Sequence, residues 1–308
     1  MPESRLASPA ALEEAAHLLE ASSDYRVLRR LVPQQEFRAA TGAPTQRAIV
    51  LDTETTGTDP ETDRVIELGL LAFDYVPDTG EVLRVAGVYD ALEDPGMPIP
   101  AEVTAIHGIT DEMVRGQRID DAAVAAFVAG ASWVVAHNAR FDRQFIESRL
   151  PVFQTLRWLC SYAEIPWKQE GFAGAKLDYL VAQHGFFFDG HRSEIDCRAL
   201  LEVLRRPLLK SGQIAWQRLL ESGPQLTYRI SALEAPFDSK DLLKARGYRW
   251  DAKRRCWHRT LGREEAAAEA PWLKERVYGG KSREVEIEVQ DALVRYSGRQ
   301  GRLVTRSL

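Results

Sequence analysis

Cysteine is scarce: Cys160, Cys197 and Cys256 are three in 308 residues. They are odd in number and far apart, which excludes a disulfide framework and the paired spacings of a structural zinc site. No apolar run approaches the ~18 residues that a membrane span needs, so no membrane partner is expected. Met1-Pro2-Glu3-Ser4-Arg5 lacks the basic-then-apolar order of a secretory signal. A reduced, cytoplasmic protein is the expectation. Internal repeats and low-complexity tracts are also missing. What the chain does have is 45% hydrophobic and 28% charged residues, enough for a packed core under a charged surface. At roughly 100–200 residues per domain, this length predicts two domains.

The net charge of −5 hides an asymmetry. Residues 1–224 hold 22 Lys+Arg against 33 Asp+Glu, whereas residues 225–308 hold 18 against 12. An acidic body with a basic tail points to a polyanionic partner for the tail.

Residues 1–46 read as a short helical N-terminal extension, with helical apolar spacing from Ala10 to Leu19 continuing through Tyr25–Leu31. Ala48–Leu51 is a buried strand. Val65–Phe73 and Val82–Tyr89 follow as strands across turn sequences, making an antiparallel meander. Helices are expected at Ala101–Ile106 and Asp121–Val128, a fourth strand at Trp133–Ala136, and a helix capped by Asn138 running to Arg149. Leu156–Cys160 is a fifth strand, and helices take Leu177–His184, Ser193–Leu204 and Ile214–Leu220. A meander followed by β-α-β-α units predicts an α/β fold with a mixed sheet flanked by helices. Ser222-Gly223-Pro224 marks a boundary. The divisions are 1–46, 47–222 and 223–308. The last is a small basic α+β C-terminal module with Tyr228–Ala232, a helix Ser239–Arg246, a hairpin from Tyr248 to His258 and a strand at Glu284–Val289.

Asp52 and Glu54 stand two apart at the end of a buried strand, so they share a face. Paired carboxylates there repel each other unless a cation lies between them, and hard oxygen ligands suit Mg²⁺ or Mn²⁺. A polar strand end opening into a loop is the plainer reading. Asp142 lies in the first turn of a helix, where it also complements the helix dipole. Ser193-Glu194-Ile195-Asp196 fits a capping box equally well. His191 alone is an ordinary loop histidine.

Together these residues resemble the DEDDh family of 3′–5′ exonucleases, which includes the proofreading epsilon subunit of bacterial DNA polymerase III. The resemblance spans about Ala48 to Leu220. Asp-x-Glu-Thr-Thr-Gly falls at Asp52–Gly57, His-Asn-Ala-x-Phe-Asp at His137–Asp142, His-x-x-x-x-Asp at His191–Asp196, and His-Gly-Ile at His107–Ile109. It implies a ribonuclease-H-like fold and two divalent cations, Mg²⁺ or Mn²⁺, held by Asp52, Glu54, Asp142 and Asp196. It further implies His191 as general base, and Thr55, Thr56, Gly57, His107, Asn138 and Phe141 around the terminal nucleotide. Phe141 serves equally as helix-anchoring core.

The implied activity is hydrolysis from a 3′ end, of DNA rather than RNA, releasing nucleoside 5′-monophosphates. An RNA-trimming enzyme of the same family is one alternative, and a polymerase-accessory or non-catalytic nucleic-acid-binding protein another. The partners implied are nucleic acid 3′ ends and a polymerase or repair protein. In the tail, Trp250 and Trp257 among cations suit base stacking or a hairpin core of their own. Because all five catalytic candidates precede Ser222, cleavage of a small phosphodiester is expected to survive removal of residues 225–308.

Overall fold

In the computed structural model, residues 8–39 and 42–308 are described. Ala48–Leu51 are apolar and wholly buried, and they form the middle of β1 (Gln46–Thr55) at the centre of a five-stranded sheet. β2 (Val65–Val76) and β3 (Glu81–Leu92) pair antiparallel on one side. β4 (Trp133–Ala136) and β5 (Trp158–Cys160) pair parallel on the other, giving the order β3-β2-β1-β4-β5. β2 is buried along all twelve residues, as a strand covered on both faces must be.

The alternation along β1 separates two cores. Ala48 and Val50 face the helix Ser193–Leu204, with Phe73, Val135 and Trp216 around them. Ile49 and Leu51 face the helix Ala139–Arg149, with Leu68, Leu70, Phe145 and Ile146. β4 pairs with β1 only at Ala48–Val50. Beyond Val50 that edge of β1 is open, and Asp52 and Glu54 stand in the opening.

The N-terminal extension departs from expectation. The helix runs Pro9–Glu20, but Tyr25–Leu31 is not helical. Arg29 and Arg30 pair in parallel with Phe186 and Phe187, and Leu31 and Phe37 pack on the first core. The helical spacing of Tyr25–Leu31 loses to the contacts that an extended chain makes there. No helix among the described residues is long and apolar enough to cross a membrane.

After the helix Ala215–Ser222 comes a second, antiparallel sheet. Its strands are β6 (Thr227–Ala232), β7 (Arg249–Asp251), β8 (Cys256–Leu261), β9 (Glu284–Gln290) and β10 (Arg302–Ser307), in the order β10-β9-β6-β8-β7. Ile230, Ala232, Leu243 and Tyr248 make its core, with Trp257 packed against it. Trp250 remains half exposed, edge-on to Trp257 at 5.5 Å. The helix Arg263–Trp272 and strand β10 are additions to the sequence-based layout.

The segment between β9 and β10 returns to the first sheet. The Trp158 amide donates to the Ala292 carbonyl at 2.9 Å, extending β5. Arg143, fully buried, donates to the carbonyls of Ala292, Leu293 and Arg295 at 3.2, 2.5 and 2.7 Å. Arg295 in turn forms a buried ion pair with Glu164 at 2.9 Å.

Candidate active site

Asp52 and Glu54 leave β1 on the face covered by the Ser193–Leu204 helix, and Asp196 projects from that helix's first turns. One carboxylate oxygen from each of the three lies within 4.8 Å of the others. Asp142 reaches the same strand end from the opposite face. Its Oδ1 accepts from the Thr53 amide at 3.1 Å and the Thr53 hydroxyl at 2.9 Å, which holds it outside the three-oxygen cluster but next to Asp52. His191 lies on the loop entering the Asp196 helix, exposed, in the left-handed conformation at φ 66°.

Two residues of β2 explain how Asp196 gets so close. Gly69 is the register partner of Asp52, and a Cβ on it would stand 2.5 Å from the Ser193 carbonyl carbon. Only a residue without a side chain lets the helix lie that near the sheet. Two positions earlier, Glu67 is opposite Glu54 and almost wholly buried. It accepts from the Arg192 guanidinium at 2.8 and 2.6 Å and from the Ser193 amide at 2.9 Å. The loop bearing His191 is therefore fixed by a charge-assisted clamp. Neither residue was picked out from the sequence. The signal was a lone acid and a glycine inside the apolar run Val65–Phe73.

The cap readings fare differently. The side chain of Ser193 makes no cap, and the Asp196 carboxylate accepts from the Arg192 amide at 3.2 Å. Asn138 precedes its helix at φ 75°, with no side-chain cap bond. Its side chain is free to face the adjoining cleft, which is lined by Thr58, Pro60, Asn138, Phe141 and Gln144.

The electrostatics are those of a crowded anion site. Burial, then the Asp142 charge, pushes the Asp52 carboxyl far above its ordinary range. Burial, then Asp196, lifts Glu54 to about 8. Burial lifts Asp142 to about 7 against the opposing Thr53 bonds, and it raises Asp196 against the Arg192 amide bond. Desolvated carboxylates this close hold protons or bind a cation. An all-oxygen donor set fits a hard divalent ion such as Mg²⁺ or Mn²⁺.

Around the cluster, the Thr55 hydroxyl donates to the Gly57 carbonyl at 2.5 Å. Thr56 bonds to Asp63 and Arg64, and a Cβ on Gly57 would lie 2.4 Å from the Asp63 carboxylate. His107 is buried and takes the Ile109 amide on Nδ1 at 2.9 Å. Its Nε2 has no hydrogen-bond partner among the described residues. Burial lowers its pKa, and because Nδ1 accepts from Ile109 the neutral ring carries its proton on Nε2.

A mixed sheet of this order with an acidic opening beside its central strand defines the ribonuclease-H-like fold. The chain belongs to the RNase T exonuclease family, whose family profile matches residues 49–204. It is similar to the DNA polymerase III epsilon subunit of Treponema pallidum, 32% identical over 164 residues that cover 49% of this chain and 72% of that protein. It is also similar to the PolC-type DNA polymerase III of Clostridium perfringens (32% over 170 residues, 51% of this chain) and of Thermotoga petrophila (30% over 204 residues, 63% of this chain). The matches span 11% and 14% of those two polymerases. Among solved structures, exonuclease X with 5′-overhanging duplex DNA aligns at TM-score 0.39 and 24% identity, over 56% of this chain and 97% of that one. E. coli exonuclease I with a dT13 oligonucleotide aligns at 0.45 and 15%, over 70% and 63%.

Gly69→Ala tests the close approach. The added methyl displaces the helix, and overpacking of this kind costs about 1–3 kcal/mol of stability. A shift near 1 Å in Asp196 lowers turnover on the order of a hundredfold. Thermal melting and nuclease assays read both, and an unaltered turnover would remove Gly69 from the account.

Proposed function

We propose that this chain is a two-metal-ion-dependent exonuclease. It removes nucleoside 5′-monophosphates from the 3′ end of a nucleic acid strand, DNA in preference to RNA. The observation that carries this reading is the convergence of Asp52, Glu54 and Asp196 within 4.8 Å, with Asp142 beside them. The four carboxylates hold the ions. Bound there, a metal pair supplies an activated water and charge stabilisation for the leaving oxygen.

The other roles belong to the chain's own groups. His191 takes the proton of the attacking water, presented by a loop that the Glu67–Arg192 clamp holds in a left-handed turn. Outlying backbone conformations of this sort concentrate at functional sites. The free Nε2–H of His107 donates to the terminal nucleotide. Thr55, Thr56 and Gly57 shape the strand-end turn that receives it, and Asn138 and Phe141 line the neighbouring cleft. Residues 47–222 act as the exonuclease body and 223–308 as an accessory module. The polymerase subunits among the relatives favour a DNA substrate and a polymerase or repair protein as partner.

The test is digestion of matched DNA and RNA oligonucleotides, labelled at either end, with Mg²⁺, Mn²⁺ or EDTA. Metal-dependent release of mononucleotides from the 3′ end supports the proposal. Internal cuts, or shortening from the 5′ end, refute it.

His191→Ala is expected to lower turnover about a hundredfold, the lower range for a lost general base, because exposed His191 leaves solvent able to accept the proton. Binding measured in Ca²⁺ stays near normal. A loss concentrated in affinity instead would make His191 a substrate contact.

A further inference from the structure

The second sheet turns its polar face, not its apolar one, toward the catalytic body. Arg229, His258, Thr260, Arg249 and Asp251 share that face through the β6–β8–β7 register. Between this face and the first turn of the Asp142 helix lies a groove of about 700 Å³, lined by six arginines against four carboxylates. Such a volume falls within the ~300–1,000 Å³ of ligand-binding clefts.

Four of the six arginines are engaged. Arg229 pairs with Asp251 at 2.8 Å, Arg295 with Glu164 at 2.9 Å, Arg299 with Glu147 at 3.2 Å, and Arg254 with Glu286. Arg140 and Arg249 have no carboxylate partner among the described residues. The buried Nε of Arg229 and the buried Nδ1 of His258 also lack hydrogen-bond partners. The positive groups act on one another. His258, on the same face, is pulled to about 4 by burial and then by the charges of Arg229 and Arg140. Two exposed guanidinium groups without carboxylate partners among the described residues, Arg140 on one wall and Arg249 on the other, suit an anion lying between them.

The groove also leads somewhere. Asn138, Arg140 and Gln144 line both it and the cleft formed by Thr58, Pro60 and Phe141. That cleft adjoins the Thr55-Thr56-Gly57 turn at the end of β1. On the far side, exposed Lys253 in the β7–β8 turn pairs with exposed Glu61 in the loop following that turn, which places the C-terminal sheet at the rim of the site.

We infer that this groove carries the phosphodiester backbone of the single strand whose 3′ end lies at Asp52, with Arg140 and Arg249 as unpaired phosphate ligands. The inference rests on the proposed nuclease function. It makes the C-terminal sheet part of the substrate path and predicts affinity that grows with strand length, because Arg140 lines the near cleft whereas Arg249 lines only the groove beyond it, which a longer strand alone enters.

The test uses the full-length Arg140→Glu/Arg249→Glu variant beside wild type in Ca²⁺. Dinucleotides and twenty-residue single strands of DNA and RNA serve as probes across a salt series. The twenty-residue strand should bind the variant at least tenfold more weakly. Its log–log salt slope should fall by about 1.4, at ~0.7 per lost phosphate contact on a single strand. The dinucleotide should lose far less. Loss on DNA alone, RNA alone or both supports the groove and names the strand it takes. Equal affinity and slope for variant and wild type, or equal losses on short and long probes, overturn it. Arg140→Lys/Arg249→Lys, which keeps the charge, should restore the slope, and it serves as the second readout if the glutamate variant melts early. Failure of the underlying reading looks different: wild type then releases no mononucleotide from any strand with Mg²⁺ or Mn²⁺.

Discussion

Asp52→Asn is expected to lower turnover about 10⁴-fold while raising the melting temperature of the metal-free protein. One cause produces both. A metal pair contributes several kcal/mol of transition-state charge stabilisation, and each ~1.36 kcal/mol is tenfold in rate. An amide at the centre of the cluster is a poor ligand for a hard cation. Without metal, however, the Asp52 charge is a liability, because it is desolvated and faces Asp142, Asp196 and Glu54. The pH dependence has a definite sign. These carboxyl groups titrate above their unfolded-state values near 4, so the folded chain holds protons that the unfolded chain has released. The penalty is absent below about pH 4. It grows as pH rises through about 7 for Asp142 and about 8 for Glu54. In EDTA the wild-type melting temperature therefore falls between pH 5 and 8.5, and Asp52→Asn flattens that fall. Mn²⁺ flattens it in wild type only. Calorimetry with and without metal, beside turnover, reads all three effects. A variant that melts no later than wild type in EDTA at pH 8 would contradict the crowded-anion account, and near-normal turnover would remove Asp52 as a ligand.

What was legible in the sequence was what local pattern encodes. The apolar runs at Ala48–Leu51 and Trp133–Ala136 carry strands β1 and β4, and the helix Ser193–Leu204 has its expected ends. The acids at the ends of such elements were legible because a charge just beyond a buried run is conspicuous. Glu67 and Gly69 escaped notice for the opposite reason. They sit inside a run, and their meaning lies in what packs across from them, the first turn of a helix more than 120 positions away in the chain. Tyr25–Leu31 misled because helical spacing over seven residues is weaker than pairing with Phe186–Phe187 and the packing of partly buried Leu31 on the first core. The arginine groove needed the register of β6, β7 and β8 before its members could be placed on one face.

The segment Asp291–Gln300 carries the other large expectation. From the order of motifs, residues 225–308 look removable without loss of chemistry. The structure argues that a chain ending at Ser222 will not fold stably. Arg143, wholly buried, would lose three carbonyl acceptors and keep only Glu147 at 2.7 Å. Glu164 would lose Arg295, and Trp158 would lose the acceptor for its amide. Removing one partner of a buried ion pair costs about 3–5 kcal/mol. A stranded buried donor adds about 1–3 kcal/mol. Against a typical net stability of about 5–15 kcal/mol, two or three such losses reach the whole margin. The expected result is an aggregated or molten fragment with no cooperative melting transition. Residues 301–308 are a different matter. β10 is an edge strand exposed along its length, and deleting it leaves every contact of Asp291–Gln300 with Arg143, Trp158 and Glu164 in place. Truncation at residue 300 should therefore give a folded protein that still releases mononucleotides. Calorimetry and far-ultraviolet circular dichroism on the two truncations separate the cases. A well-folded 1–222 fragment with full activity would show that the returning segment merely rests on the catalytic body.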